Sequence, residues 1–166
     1  PDPASTPGLL DLLDELGVKA VFFCNGHAAE KYPELTALTR ERGHIIGNHG
    51  YEHLCGWKTK VKAYLENAEK AVPFTSGRLF RPPYGKMTPS QYRLLKKKYR
   101  IIMWDIMPYD FDPRFTPERS LNVLTSRLRQ GSVIVLHDTP SSNCRSFLKG
   151  LVERAEREGV GFSREI

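Results

Sequence analysis

The chain has 166 residues, of which 40% are apolar and 27% charged, with a formal net charge of +6. This is an ordinary globular composition, and no apolar run approaches the roughly 20 residues of a membrane-spanning helix. The basic residues, among them Lys96-Lys97-Lys98 and the Arg154/Arg157 pair, are not interleaved with aromatics, so they read as solvated helix faces and nucleic acid is set aside as a partner.

In chain order, helix and strand signals alternate. Leu9, Leu12, Leu13 and Leu16 recur at helical spacing and Gly17 follows as a stop. Val18–Phe23 is a short apolar strand, closed by Cys24, which reads as a small core residue. A helix over 33–42 ends at Gly43, and Ile45-Ile46 form a brief strand. Val61, Tyr64, Leu65, Ala68 and Val72 make another helical stripe, and Leu79-Phe80 begin a strand that stops at Pro82-Pro83. Helix 89–99, strand 100–106, helix 117–129, strand 133–137, helix 144–158 and a last strand at Val160–Phe162 follow. Thr6-Pro7, Thr88-Pro89 and Thr116-Pro117 each read as a capping threonine with proline in the first helical turn. The three cysteines, Cys24, Cys55 and Cys144, are too widely spaced for a zinc ribbon or a disulfide framework. About six strand–helix units predict a single α/β domain over residues 1–166, as an open parallel sheet or a (β/α) barrel, and periodicity does not choose between them.

In parallel α/β folds, chemistry collects at the C-terminal ends of strands. Four predicted strand ends carry concentrated polar groups: His49 and His53, Arg81 and Tyr84, Asp105 and Asp110, and His137-Asp138, with Asn25 and His27 after the first strand. In Gly47-Asn48-His49-Gly50-Tyr51-Glu52-His53, two imidazoles four residues apart suit one divalent ion, although zinc normally takes three protein ligands. Loop histidines with separate hydrogen bonds are the plainer alternative. In Phe80-Arg81-Pro82-Pro83-Tyr84-Gly85, two prolines fix the backbone so that a following N–H can be aimed at an oxyanion, and Arg81 can grip a carboxylate. A rigid loop with a structural ion pair explains it equally. The run 104–112 mixes aromatics with carboxylates, as sugar sites and ordinary loops both do. In Ile134-Val135-Leu136-His137-Asp138, an imidazole at a strand end is placed for acid–base work or for a structural hydrogen bond.

Taken together and in order, these segments resemble the polysaccharide deacetylase family (carbohydrate esterase family 4, the NodB-homology domain). That family carries Thr-Phe-Asp-Asp-Gly-Pro, His-(Ser/Thr)-x-x-His, Arg-x-Pro-Tyr, Asp-x-x-(Asp/Ser)-Trp and Leu-x-His. His49–His53 resembles the second, Arg81-Pro82-Pro83-Tyr84 the third, Asp110-Phe111 the end of the fourth and Val135-Leu136-His137 the fifth. The resemblance implies a distorted (β/α) barrel of parallel strands. It implies His49 and His53 as ligands to zinc, or to cobalt or a similar ion, and the Tyr84 N–H as an oxyanion donor. It implies His137 as the general acid, oriented by Asp110, and Arg81 as the residue holding the catalytic-base aspartate. Phe111, Val135 and Pro83 would line the acetyl pocket. The implied partner is an acetylated polysaccharide or oligosaccharide, from which N-acetyl groups, or O-acetyl groups in fewer cases, are removed; the implied location is the cell envelope or outside the cell.

The sequence departs from this pattern in four places. Pro1 matches the proline that ends the Asp-Asp segment, so the base, the third metal ligand and the first strand are expected ahead of it, and residues 1–166 alone are expected to bind metal weakly and hydrolyse little. Gly50 replaces Ser or Thr, Phe111 replaces Trp, and Val135 replaces Leu. The rival reading is a non-catalytic carbohydrate-binding or scaffold domain on the same fold. A nucleotide-binding protein is disfavoured, because no Gly-rich phosphate loop follows a strand.

Overall fold

The structure, a computed structural model, describes residues 1–75 and 77–165. It divides into two compact units, the first Ala20–Met103 with Pro1 and the second Asp2–Lys19 with Trp104–Glu165.

The first unit holds a parallel sheet of β1 (Val21–Cys24), β2 (Ile45–Asn48), β3 (Leu79–Phe80) and β4 (Arg100–Ile101), in that spatial order. Sequential parallel order is that of a (β/α) barrel, whereas doubly wound sheets reverse direction at a switch point. The register runs Val21 with Ile45 through Cys24 with Asn48, then Asn48 with Phe80, then Leu79 with Arg100. Each strand end is extended by one further bond: His49 N–H donates to Cys24 C=O (3.0 Å), Arg81 N–H to Asn48 C=O (3.0 Å) and Ile102 N–H to Phe80 C=O (2.9 Å). The sheet thereby fixes the backbone of the first residue beyond β2 and β3, the two positions that carry His49 and Arg81.

Helices α2 (Gly26–Lys31), α3 (Pro33–Glu41), α4 (Val61–Lys70) and α5 (Pro89–Leu95) connect these strands. Asn25 is the N-cap of α2, its Oδ1 accepting from Ala28 N–H at 2.8 Å, so its place after β1 is accounted for structurally. Thr88 and Gln91 form a capping box on α5. Tyr64, Ala68, Phe80, Leu95 and Tyr99 make one buried cluster, with Tyr64 and Phe80 meeting edge to face at 6.2 Å. Burial pushes the Tyr64 and Tyr99 phenols up, the latter helped by Glu69.

The second unit contains α1 (Thr6–Glu15), α6 (Pro117–Thr125) and α7 (Cys144–Arg157). Of the predicted stripe Leu9 and Leu13 are buried and Leu12 and Leu16 half-buried, Leu10 is buried as well, and Gly17 at φ +64° follows the helix. On α6, Thr116 caps Arg119 N–H at 3.3 Å as expected. Thr6 does something else: it lies within α1 after N-cap Ser5, and its hydroxyl donates to Asp138 Oδ2 (2.6 Å) while accepting from Asp2 N–H (2.8 Å). The predicted strands here shrink. Of 100–106 only Arg100–Ile101 is a strand, and Ile106 and Ile134 make an isolated parallel bridge. Asp105 Oδ1 takes the Val133 N–H at 2.7 Å, removing a donor that a regular ladder would use. Val160–Phe162 forms no strand, because Val160 N–H closes the end of α7 on Ala155 C=O (2.9 Å). Lys96-Lys97-Lys98 follow the C-terminus of α5, where cations favour the helix dipole.

Cys24 and Cys144 are buried and Cys55 is half-buried. Burial pushes the Cys144 thiol up to about 11. Iodoacetamide on the native protein is therefore expected to modify Cys55 first, with Cys24 and Cys144 reacting only on unfolding. Peptide mapping by mass spectrometry reads this out, and early modification of Cys144 would contradict the burial described.

Candidate active site

In the first unit, His49 follows β2 directly. Its Nδ1 lies 2.6 Å from the Arg81 carbonyl oxygen. A carbonyl only accepts, so Nδ1 carries the hydrogen, and in the neutral ring Nε2 carries the lone pair. That Nε2 is 3.1 Å from Nε2 of His53. Two imidazole nitrogens bound at about 2.0–2.1 Å to one tetrahedral zinc stand about 3.3 Å apart. With His49 Nε2 unprotonated, His53 Nε2–H can donate to it; the separation and the His49 tautomer also fit a shared divalent ion once that hydrogen is given up, with the Arg81 carbonyl as the outer partner that orients the His49 ring. Among the described residues, no group of three His, Cys, Asp or Glu side chains could hold a metal ion.

The loop between the two imidazoles is held by residues that the sequence did not single out. Asn48, fully buried, accepts from Gly50 N–H (2.7 Å) through Oδ1 and donates to Ala68 C=O (2.9 Å). Asn67, on α4, accepts from Glu52 N–H and donates to Glu52 C=O, both at 2.8 Å, while its own carbonyl takes the Tyr51 N–H. An asparagine side chain matched to one residue's N–H and C=O fixes that residue's peptide orientation. Gly50 sits at φ +77°, and a Cβ there would lie 2.6 Å from Asn67 Nδ2 and 3.0 Å from Glu52 O. A Ser or Thr here would have to displace the Asn67 amide and hold a left-handed backbone.

Arg81 is 8% exposed, with its guanidinium 4.2 Å from the Phe23 ring and its Nε–H donating to Ile102 C=O at 3.3 Å. Burial pushes it down to about 10, which still leaves it cationic at neutral pH. Tyr84 stands at φ 59°, ψ 8°, a left-handed conformation that costs a non-glycine residue about 1–2 kcal/mol. Pro82 and Pro83 precede it, and the turn is closed by Gly85 N–H on Pro82 C=O and Lys86 N–H on Pro83 C=O. The Tyr84 N–H is not one of that turn's donors, and its ring packs edge-on against His53 at 4.4 Å. His27 is exposed, its N–H bound to Tyr51 C=O.

In the second unit, His137 and Asp110 meet. Asp110 is 1% exposed, and three donors converge on its carboxylate: His137 Nδ1 at 2.9 Å on Oδ1, and His137 N–H at 2.7 Å and Ser142 Oγ at 2.6 Å on Oδ2. The buried carboxylate fixes the ring so that Nδ1 is the inner nitrogen and Nε2 the outer. Phe111, 42% exposed, packs edge-on to the His137 ring at 4.6 Å. Val135 is buried, its N–H on Ile106 C=O at 3.0 Å. The neighbouring Asp138 is a tether: Ser5 Oγ and Thr6 Oγ1 each donate to it at 2.6 Å, which ties the start of α1 to the His137 segment. Asp105 is engaged by Val133 N–H and by Arg129 at 2.7 Å. Arg114 holds the Asp112 carboxyl down at about 2.

Residues 1–104 match the polysaccharide deacetylase family. The chain is 31% identical over 158 residues to a peptidoglycan-N-acetylglucosamine deacetylase of Bacillus cereus, an alignment covering 91% of this chain and 57% of that protein. It is 32% identical over 149 residues to a chitooligosaccharide deacetylase of Azorhizobium caulinodans, covering 83% of this chain and 69% of that protein. The crystal structure of a peptidoglycan N-acetylglucosamine deacetylase superposes with a TM-score of 0.91 at 27% identity, over 98% of this chain and 80% of that one. The α/β fold with parallel strands is thus the (β/α)-barrel-like fold of these proteins, and the chain belongs to the polysaccharide deacetylase family, the carbohydrate esterase family 4 or NodB-homology group.

Proposed function

We propose that this chain is a metal-dependent hydrolase that removes N-acetyl groups, or O-acetyl groups in fewer cases, from a carbohydrate polymer or oligomer. The observation that carries the reading is the His49–His53 pair, whose Nε2 atoms face each other at 3.1 Å while Nδ1 of His49 is pinned to a carbonyl. The relatives' activities on acetylated sugars support it.

His49 and His53 would hold the divalent ion, with zinc first and cobalt an alternative. When bound, such an ion polarises an amide carbonyl and lowers the pKa of a bound water. The chain's own residues do the rest. The Tyr84 N–H, set by Pro82 and Pro83, donates to the oxyanion of the tetrahedral intermediate. The His137 imidazolium, stabilised by Asp110, gives the proton on Nε2 to the departing amine nitrogen. Phe111, 42% exposed and packed on the His137 ring, offers apolar surface to the acetyl methyl, and the family resemblance adds the buried Val135 and Pro83 as candidates for that role. Arg81, buried and cationic, suits the grip on a carboxylate base. Acetate and a free amino sugar result.

A non-catalytic carbohydrate-binding role is the second reading.

Acetate release from N-acetylglucosamine oligomers decides between them. The protein is assayed with added zinc beside its His49→Ala/His53→Ala variant. The protein is expected to release acetate and the double variant none. Unchanged turnover in that double variant would sink the metal assignment. Saturable oligomer binding with no turnover would favour the second reading.

A further inference from the structure

We propose that the outer face of α5, with the turn that follows it, docks on a membrane surface rich in anionic lipid. This face lies at the other end of the sheet from the imidazole pair: Arg78 and Arg100 stand at the starts of β3 and β4, whereas His49 and Arg81 follow the ends of β2 and β3.

Charge is uneven along the chain. Residues 70–104 hold nine Lys or Arg and no Asp or Glu, while the whole chain has 25 basic and 19 acidic residues, so the remainder is net negative. Such asymmetry points to an anionic partner. The fold gathers the cations. Gln91, Leu95 and Tyr99 are buried, every fourth residue, so α5 and the turn after it keep one side on the core. Lys96 N–H on Tyr92 C=O (3.0 Å) and Tyr99 N–H on Leu95 C=O (2.9 Å) carry the helical turn past the end of α5. The intervening residues are exposed and stand four apart in pairs: Tyr92 with Lys96, Arg93 with Lys97, Leu94 with Lys98. Arg100 N–H donates to Arg78 C=O at 2.8 Å, which sets two more exposed arginines beside the end of that turn. Lys98 is paired with Glu69 at 3.1 Å, and among the described residues the other cations of this face make no ion pair.

Cations at a helix C-terminus suit the dipole, but the dipole accounts neither for Arg78 and Arg100 nor for the apolar groups among the charges. Tyr92 is 43% and Leu94 42% exposed, and the Lys96 ammonium lies 5.4 Å from the Tyr92 ring centroid. That mixture selects the partner. Clustered Lys and Arg attract anionic headgroups. A tyrosine suits the headgroup level, and a leucine gains only where an apolar phase begins. A soluble polyanion offers charge but no such phase. Docking by this face leaves free the strand ends that carry His49 and Arg81.

Co-sedimentation with vesicles tests this. The protein is expected to sediment with vesicles of phosphatidylglycerol and phosphatidylcholine in equal parts, less so as salt is raised, and not with phosphatidylcholine alone. Arg93→Gln/Lys96→Gln/Lys97→Gln, which leaves the Lys98–Glu69 pair in place, is expected to weaken binding about 100-fold, since each cation near an anionic leaflet contributes about fivefold. Tyr92→Ser/Leu94→Ser keeps every charge and is expected to weaken binding about tenfold. All five positions are exposed, so urea unfolding is expected to find both variants about as stable as the parent. Equal sedimentation with neutral vesicles, or none with anionic ones, would overturn the docking. So would vesicle binding that ignores Tyr92 and Leu94 while binding to soluble polyphosphate falls with the cations, because the partner is then a polyanion and not a membrane.

Discussion

Asp110→Asn is expected to lower kcat for acetate release by about 10³–10⁴-fold. The reason lies in how the carboxylate is used. Its Oδ2 accepts from the His137 N–H and the Ser142 hydroxyl, and its Oδ1 faces His137 Nδ1. An asparagine can keep its oxygen on the two Oδ2 donors only by turning its NH₂ toward Nδ1. Nδ1 must then become an acceptor, which moves the ring hydrogen to Nε2, and the protonated ring loses its anion. Nitrogen-15 NMR of His137 reads the tautomer without reference to turnover. An unchanged tautomer with unchanged kcat would remove Asp110 from the mechanism. Asp110→Ala is a different experiment: it strands three donors at a side chain with no exposure, and a loss of about 3 kcal/mol in urea unfolding is expected. A loss in kcat for Asp110→Asn without a comparable loss in stability separates positioning from folding.

What the sequence made legible were residues whose type and place agree. His49 and His53 follow an apolar strand at a ligand spacing, and Asp110 and His137 close other apolar runs, so the strand-end rule reached them. The residues that hold them were not legible. Asn67 lies in the polar part of an amphipathic helix and reads as surface, and Asn48 reads as one more polar residue at a strand end. Ser142, Ser5 and Thr6 act through contacts that local patterning cannot show. Their bonds run to Asp110, 32 positions away, and to Asp138, more than 130 away. The extent of the later strands was over-read for the same reason. Runs 100–106 and 133–137 have strand composition, but a side-chain carboxylate, Asp105, competes for the ladder donor at Val133. Thr6-Pro7 looked like the other two caps and is instead part of the tether to Asp138.

Asn67→Ala should weaken zinc binding by about 10–100-fold, the usual range for losing an outer partner of a metal ligand. The side chain touches neither imidazole. It holds the N–H and C=O of Glu52, the residue just before His53, and with both bonds gone the turn that brings His53 Nε2 to His49 Nε2 is no longer fixed. Two lost bonds at a nearly buried residue also imply about 2 kcal/mol of stability. Competition with a chelator measures the affinity and urea unfolding the stability, and native zinc affinity in a destabilised Asn67→Ala protein would show that the clamp does not set the ligand geometry. Gly50→Ser, which installs the residue usual in the family, is expected to destabilise rather than help, because Asn67 Nδ2 already occupies the space and the backbone is left-handed there. The two substitutions share one cavity and should not be additive. In the Asn67→Ala background, Gly50→Ser retains the backbone strain but loses the clash, so its cost should fall. The glycine and the asparagine are then one solution to holding the imidazole loop, and a hydroxyl at position 50 would have to be accompanied by a different residue at 67.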